Sequence, residues 1–201
     1  MNCVLPITYF GNIDFFSALL KADQILIEKH EHFIKQTYRN RCEIYGANGK
    51  LSLIVPIKHG RKEHTPVSEC IIDNSTRWQT LHLRSIESGY RRSPYFEYYE
   101  SRFIPFFSKK YDSLTELCIG SMNLSLSFLK TEINFSFTES YQKSYDSFID
   151  FRSIADPKNN KAEKQLPYQQ VFENKFGKIN NLSVLDLIFN EGPQALQLLK
   201  N

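Results

Sequence analysis

The first 28 residues constrain this chain more than any later stretch. Residues 3–9, CVLPITY, read as a strand, with Pro6 marking an edge position or a bulge because it has no N–H for a ladder. Ile13, Phe16, Leu19 and Leu20 then recur at helical spacing behind Asn12, a residue suited to cap a helix. QILIE, residues 24–28, is again a short apolar strand. Strand, helix, strand is the pattern of a parallel crossover, because no tight turn can join parallel neighbours.

The next signal is antiparallel. RCEIY (41–45) and LSLIVPI (51–57) flank a turn that contains Asn48-Gly49, and Asn-Gly suits the left-handed positions of a hairpin. A further strand is expected at 70–73, CIID. From Ser75 the period becomes helical. Trp78, Leu81, His82, Ser85, Ile86, Gly89 and Tyr90 share one face. Ser93-Pro94 ends that helix and opens another, and 114–129 is a long helical run. INFSF (133–137) alternates like a strand. A helix capped at Asn181 or Ser183 runs through Leu185, Ile188 and Phe189 to Gly192-Pro193, and a short helix follows. The expected fold is mixed α and β (α/β or α+β). It is one domain over residues 1–201, with a mixed sheet, an N-terminal β-α-β unit, a β-hairpin and a helical layer over about 77–130. Residues 155–166 are polar and poor in apolar anchors, and are expected to form a mobile loop.

At 201 residues the chain is long enough to bury roughly 70% of its unfolded surface without staples. Its 16 Phe supply ordinary core, but its 11 Tyr bring hydroxyls that need partners. They imply a partly polar interior or an aromatic-lined cleft. The N-terminus lacks the pattern of a secretion signal, and no stretch approaches the length of a membrane span. Cys3, Cys42, Cys70 and Cys118 are scattered, with no paired or zinc-like spacing, and fit buried thiols in a reducing, cytoplasmic setting. Between Lys35 and Lys62 lie seven basic residues and one acidic one. Such a local excess suits a phosphate or carboxylate ligand, but it is too short and too mixed with aliphatics for a nucleic-acid stripe.

The common phosphate-cradle and hydrolase motifs are absent. His30 and His32 would share one face of a strand, yet no third ligand accompanies them, so no metal site is assigned; His59 and His64 lie in a basic loop. Cys42, flanked by Arg39 and Arg41, has the setting of an activated thiol, although a hairpin cysteine is more often core. His82 stands on an apolar helical face, either as a core histidine or as an acid-base group. Asn40-Arg41 presents a fork of donors to an anion. Ser183, Asp186 and Asn190 form a polar line on an otherwise apolar helix, where polar groups need solvent or partners.

Several segments carry a resemblance. YFGNIDFF (9–16), QTYRNRCEI (36–44), GKLSLIVPIK (49–58), RWQTLHLRSIESGYRRSPYFEYY (77–99), PYQQVF (167–172) and NLSVLDLIFNEGP (181–193) together resemble the WbqC-like family. Its members are often encoded among polysaccharide O-antigen genes and have no established reaction. Many begin with a His-Gln-Pro-Asn-type strand. This chain has Leu5-Pro6-Ile7-Thr8 there, so no catalytic role for that histidine carries over. Where Cys42 stands, members commonly have Asn or another residue, which weakens the thiol reading.

The resemblance and the residues leave two function classes open. One is an enzyme of cell-surface polysaccharide biosynthesis, such as an acyl or aminoacyl transferase acting on an amino sugar. The other is a non-catalytic binding or scaffolding protein for a phosphorylated or carboxylated ligand. For the enzyme, His82 would be the general base and Asp186 its orienting group. Asn40, Arg41, Tyr90, Gln170, Ser183 and Asn190 would contact a small, sugar-nucleotide-like anionic ligand, all around one cleft. No cofactor is legible.

Overall fold

The computed structural model describes residues 1–58, 64–159 and 165–201. The opening crossover forms as expected. β1 (Asn2–Pro6) leads to α1 (Ile13–Lys21), whose first free N–H groups meet the Asn12 side chain at the Phe15 amide, 2.9 Å. The chain returns as β2 (Gln24–Glu28), parallel to β1 from Asn2 opposite Gln24 to Pro6 opposite Glu28. α1 buries Phe15, Phe16 and Leu19.

β3 (Arg41–Gly46) and β4 (Gly49–Ile54) form the antiparallel hairpin, with Arg41 opposite Ile54 and Gly46 opposite Gly49. The turn closes on Gly49 at φ +99°, a conformation in which a side chain is strained. Parallel and antiparallel pairing are divided between two sheets, the hairpin being a sheet of its own. Residues 70–73 make isolated bridges, Ile72 to Ile57 and Ile71 to Ser113, where a strand was expected.

The helical layer follows. α2 (Trp78–Tyr90) buries Trp78, His82, Ile86, Gly89 and Tyr90, whereas Leu81, at the margin of that stripe, is exposed. α3 (Phe96–Ser108) and α4 (Leu114–Phe128) complete it, with Phe10, Phe103, Phe106 and Phe107 meeting at ring-centroid distances of 5.2 to 6.1 Å. Residues β5 (Ser136–Phe137) and β6 (Ile149–Asp150) then join the parallel sheet on opposite sides. The order is β5-β2-β1-β6, so β1 lies inside the sheet and not at its edge. Pro6 is tolerated because the ladder to β6 has ended at Val4.

After β6 come two single 3₁₀ turns, Arg152–Ala155 and Pro157–Asn159. Ala155 is buried and its carbonyl accepts from the Tyr38 amide, so the start of the expected loop is anchored; residues 160–164 lie outside the described residues. α5 (Glu173–Phe176), α6 (Val184–Glu191) and α7 (Ala195–Lys200) close the chain. Ser183 is the cap of α6.

Candidate functional site

The carboxyl ends of all four parallel strands face one edge, and the strand order reverses between β1 and β6. Ligands of open parallel sheets bind outside such an edge. The segment that leaves β2, residues 29–40, crosses this region and divides its side chains between two clefts.

The first cleft, about 400 Å³, has Phe33, Ile54 and Ile57 on its apolar side and Lys35, Asn40 and Arg41 on its polar side. Asn40 is 9% exposed. Its Nδ2 donates to the Val55 carbonyl at 2.9 Å, while its Oδ1 is buried with no partner. Arg41 Nε is likewise buried and unpartnered, and among the described residues the guanidinium has no ion pair. Gln36, also on this wall, holds φ +62°, a left-handed strain for a non-glycine residue.

His82 lies behind this wall. Its ring is 2% exposed, 3.0 Å from the Tyr9 hydroxyl at Nδ1 and 3.2 Å from the Ile54 carbonyl at Nε2. A carbonyl only accepts, so Nε2 carries the proton and Nδ1 accepts from Tyr9. Burial pulls the imidazole pKa down from 6.5 to about 4, which keeps it neutral. Because Ile54 pairs with Arg41, His82 pins the backbone beneath the arginine.

Asp186 belongs to a separate constellation. It is fully buried, and its carboxylate accepts from Tyr90 (2.9 Å), Tyr168 (2.7 Å) and the Gln170 amide (2.8 Å). Burial raises its pKa despite these donors. Tyr90 Oη in turn accepts from the Tyr45 amide at 2.9 Å, tying α6 to α2 and β3. Asn190 Nδ2 donates to the Asp186 carbonyl at 2.7 Å, and Ser183 Oγ donates to the Phe10 carbonyl at 2.8 Å. Asn190 and Gln170 line a further cleft of about 420 Å³ with Arg92 and Glu191.

The eight residues expected around one cleft therefore fall into two groups. Asn40 and Arg41 sit together, with His82 behind them. Tyr90, Gln170, Ser183, Asp186 and Asn190 gather around α6. Among the described residues Asp186 bonds to neither Arg41 nor His82, so the expected base-and-orienter pair does not form. His82 and Tyr90, eight residues apart on α2, are separated by about 12 Å of helix rise, which keeps the groups distinct. Cys42 is buried and burial drives its thiol pKa far up, the reverse of an activated nucleophile. His30 Nε2 lies 3.0 Å from the Thr138 carbonyl, and the His32 ring lies 4.9 Å from His64; His59 is outside the described residues.

A second charged centre was not foreseen. Glu31 and Arg39, both buried, form a two-point ion pair of 2.8 Å (Nε to Oε1) and 2.7 Å (Nη2 to Oε2). Glu28, fully buried at the end of β2, accepts from Tyr145 and Thr138, with Arg152 at 3.8 Å. Arg152 itself is clamped by Asp150 and donates to the Gln142 and Lys143 carbonyls at 2.8 and 2.9 Å. Glu31, Arg39, Tyr141, Arg152, Ser153 and Asp156 line a cleft of about 540 Å³ at the sheet edge. The one signal available was that charges interrupt the apolar run after β2. Arg39 lies only eight residues from Glu31, but the partners of Glu28 lie more than 100 residues further on.

These features define an α/β-type protein with polar clefts beyond the carboxyl edge of a small parallel sheet. The chain belongs to the WbqC-like protein family, whose model matches residues 8–158. The motifs at 167–172 and 181–193 thus fall outside the matched span. No curated protein and no solved structure matches the chain.

Proposed function

We propose that the protein binds a phosphorylated or carboxylated small molecule in the Asn40/Arg41 cleft, in the service of cell-surface polysaccharide biosynthesis of the O-antigen type. One observation carries this reading: the Arg41 Nε–H, a donor, is buried and unpartnered on the cleft wall, beside Asn40 Oδ1, an unpartnered acceptor suited to a hydroxyl of the same ligand and not to its anionic group. An unmade buried hydrogen bond costs about 1–3 kcal/mol, and such groups are retained where something else completes them. A guanidinium offers a planar, two-point grip to phosphate or carboxylate, Lys35 adds charge, and Gln36 stores local strain as binding sites often do.

The second reading, acyl or aminoacyl transfer to an amino sugar, is favoured by the apolar side of the same cleft. Phe33, Ile54 and Ile57 would hold an acyl portion while Arg41 holds its anionic end. In that reaction His82 acts as a positioning group through Ile54, not by taking a proton. Thermal shift with UDP-N-acetylglucosamine and with acetyl-coenzyme A tests both readings. A ligand at 100 times its Kd stabilises by about 2.7 kcal/mol, and Arg41→Lys, by weakening binding about tenfold or more, should cut this to about 1.4 kcal/mol or less. No shift with either compound, or equal shifts in the variant, removes the anion-site reading.

A further inference from the structure

The cleft beyond the parallel-sheet edge differs from the Arg41 cleft in one respect: its buried charges are already paired. Glu31 is held by Arg39 through one hydrogen bond and a second ion-pair contact, and every nitrogen of the Arg152 guanidinium has a protein partner. An anionic ligand would have to compete with Glu31 for Arg39, and a cation would have to compete with Arg39 for Glu31. Either would strand a buried charge, which is strongly unfavourable. A neutral ligand meets no such cost.

We infer that this cleft is a binding site for a neutral, hydroxyl-rich ligand of the sugar-ring type. The Glu31–Arg39 pair sets carboxylate oxygens beside a guanidinium edge. Each oxygen keeps a lone pair, and among the described residues Arg39 Nη1 has no hydrogen-bond partner. A hydroxyl both donates and accepts. Two adjacent hydroxyls can therefore give to Glu31 and take from Arg39 without breaking the pair. Tyr141, 54% exposed, offers a ring face for the C–H side of a sugar, steadied by the Arg152 guanidinium 5.3 Å from its centroid. Ser153 and Asp156 supply further hydroxyl partners at the rim. The site lies where the strand order reverses, the place such sheets use for ligands. It is independent of the Arg41 cleft.

Saturation-transfer NMR on the full chain, with N-acetylglucosamine, galactose and maltose as probes at millimolar concentration, tests the inference. Transfer to the ring protons of at least one probe is expected from the wild type. It should be lost in Tyr141→Ala, a surface change that leaves the fold intact, and in Glu31→Gln. It should persist in Arg41→Lys, so that failure here leaves the anion reading standing, and the reverse. Absence of transfer from all three sugars overturns the inference. So does undiminished transfer in Tyr141→Ala, or displacement of the sugar by sodium acetate or inorganic phosphate at matched ionic strength.

Discussion

The Tyr9 hydroxyl donates to Nδ1 of His82 across 3.0 Å, inside the core and 73 residues away in the chain. This bond exists only while the imidazole is neutral, since a protonated Nδ1 has no lone pair to accept with. A histidine whose folded pKa is depressed contributes stability that is complete above its unfolded pKa. That stability is lost as pH falls from about 6.5 toward about 4. The loss is on the order of 3 kcal/mol. Asp186 and Glu31, whose carboxyl pKa values burial raises, act with the opposite sign and lose their contribution as pH rises. The difference between wild type and His82→Ala isolates the histidine. Urea midpoints across this window should show a slope in the wild type that the variant lacks, together with a uniform cavity loss of about 2 kcal/mol or more. Parallel pH profiles would contradict it.

Replacing Asp186 by Ala leaves the Tyr90, Tyr168 and Gln170 donors facing a void. Each unmade buried bond costs about 1–3 kcal/mol, so the expected loss is on the order of 4 kcal/mol. Tyr168→Phe removes one donor to Asp186 and one acceptor for Gln170, whose Nε2 keeps its bonds to Asp186 and Ile179, and should cost about 1 kcal/mol. Calorimetric unfolding distinguishes the two. Equal, small losses would mean that Asp186 is not a structural centre.

Arg41→Lys should leave the melting temperature within a degree or two of wild type, because Arg41 Nε makes no bond to lose. Titration with pyrophosphate should show weaker binding by about tenfold or more, the scale of a charged hydrogen bond. A large stability loss with unchanged binding would assign the residue to the fold.

Gly89 stands where α2 meets β3, and a Cβ there would lie 2.8 Å from the Tyr45 carbonyl oxygen. Backbone cannot yield as a side chain can. Gly89→Ala gains about 1 kcal/mol of helix propensity but overpacks by about 1–3 kcal/mol. It also displaces the Tyr90–Tyr45 bond. A lower melting temperature is expected; a rise would refute the close contact.

Local chemistry was legible where neighbours in sequence decide it. Asn12 and Ser183 cap their helices with their own side chains, and Gly49 of the Asn-Gly pair closes the hairpin turn in the left-handed conformation that glycine allows. The spacing of Trp78, His82, Ile86 and Tyr90 placed one face of α2 inward. Asn40-Arg41 was marked as a pair of donors at the start of β3, but the Asn40 amide nitrogen donates to Val55 and leaves an acceptor oxygen unpartnered. The hydroxyl-rich interior implied by the tyrosines is present, with Tyr9, Tyr45, Tyr90 and Tyr168 all partnered. Tertiary structure alone decided which polar group meets which. His82 and Asp186 look alike as polar insertions in apolar helices, yet one pins Ile54 and the other gathers two tyrosines and a glutamine. β5 and β6, two residues each, are too short to carry any period. They nevertheless bring residues 138–156 to the ends of β1 and β2, and with them Arg152 to Glu28. A hydrogen bond or ion pair depends on distance in space. Over separations of 100 residues the chain holds no local record of it, because the sheet register that sets the distance is a property of the whole fold.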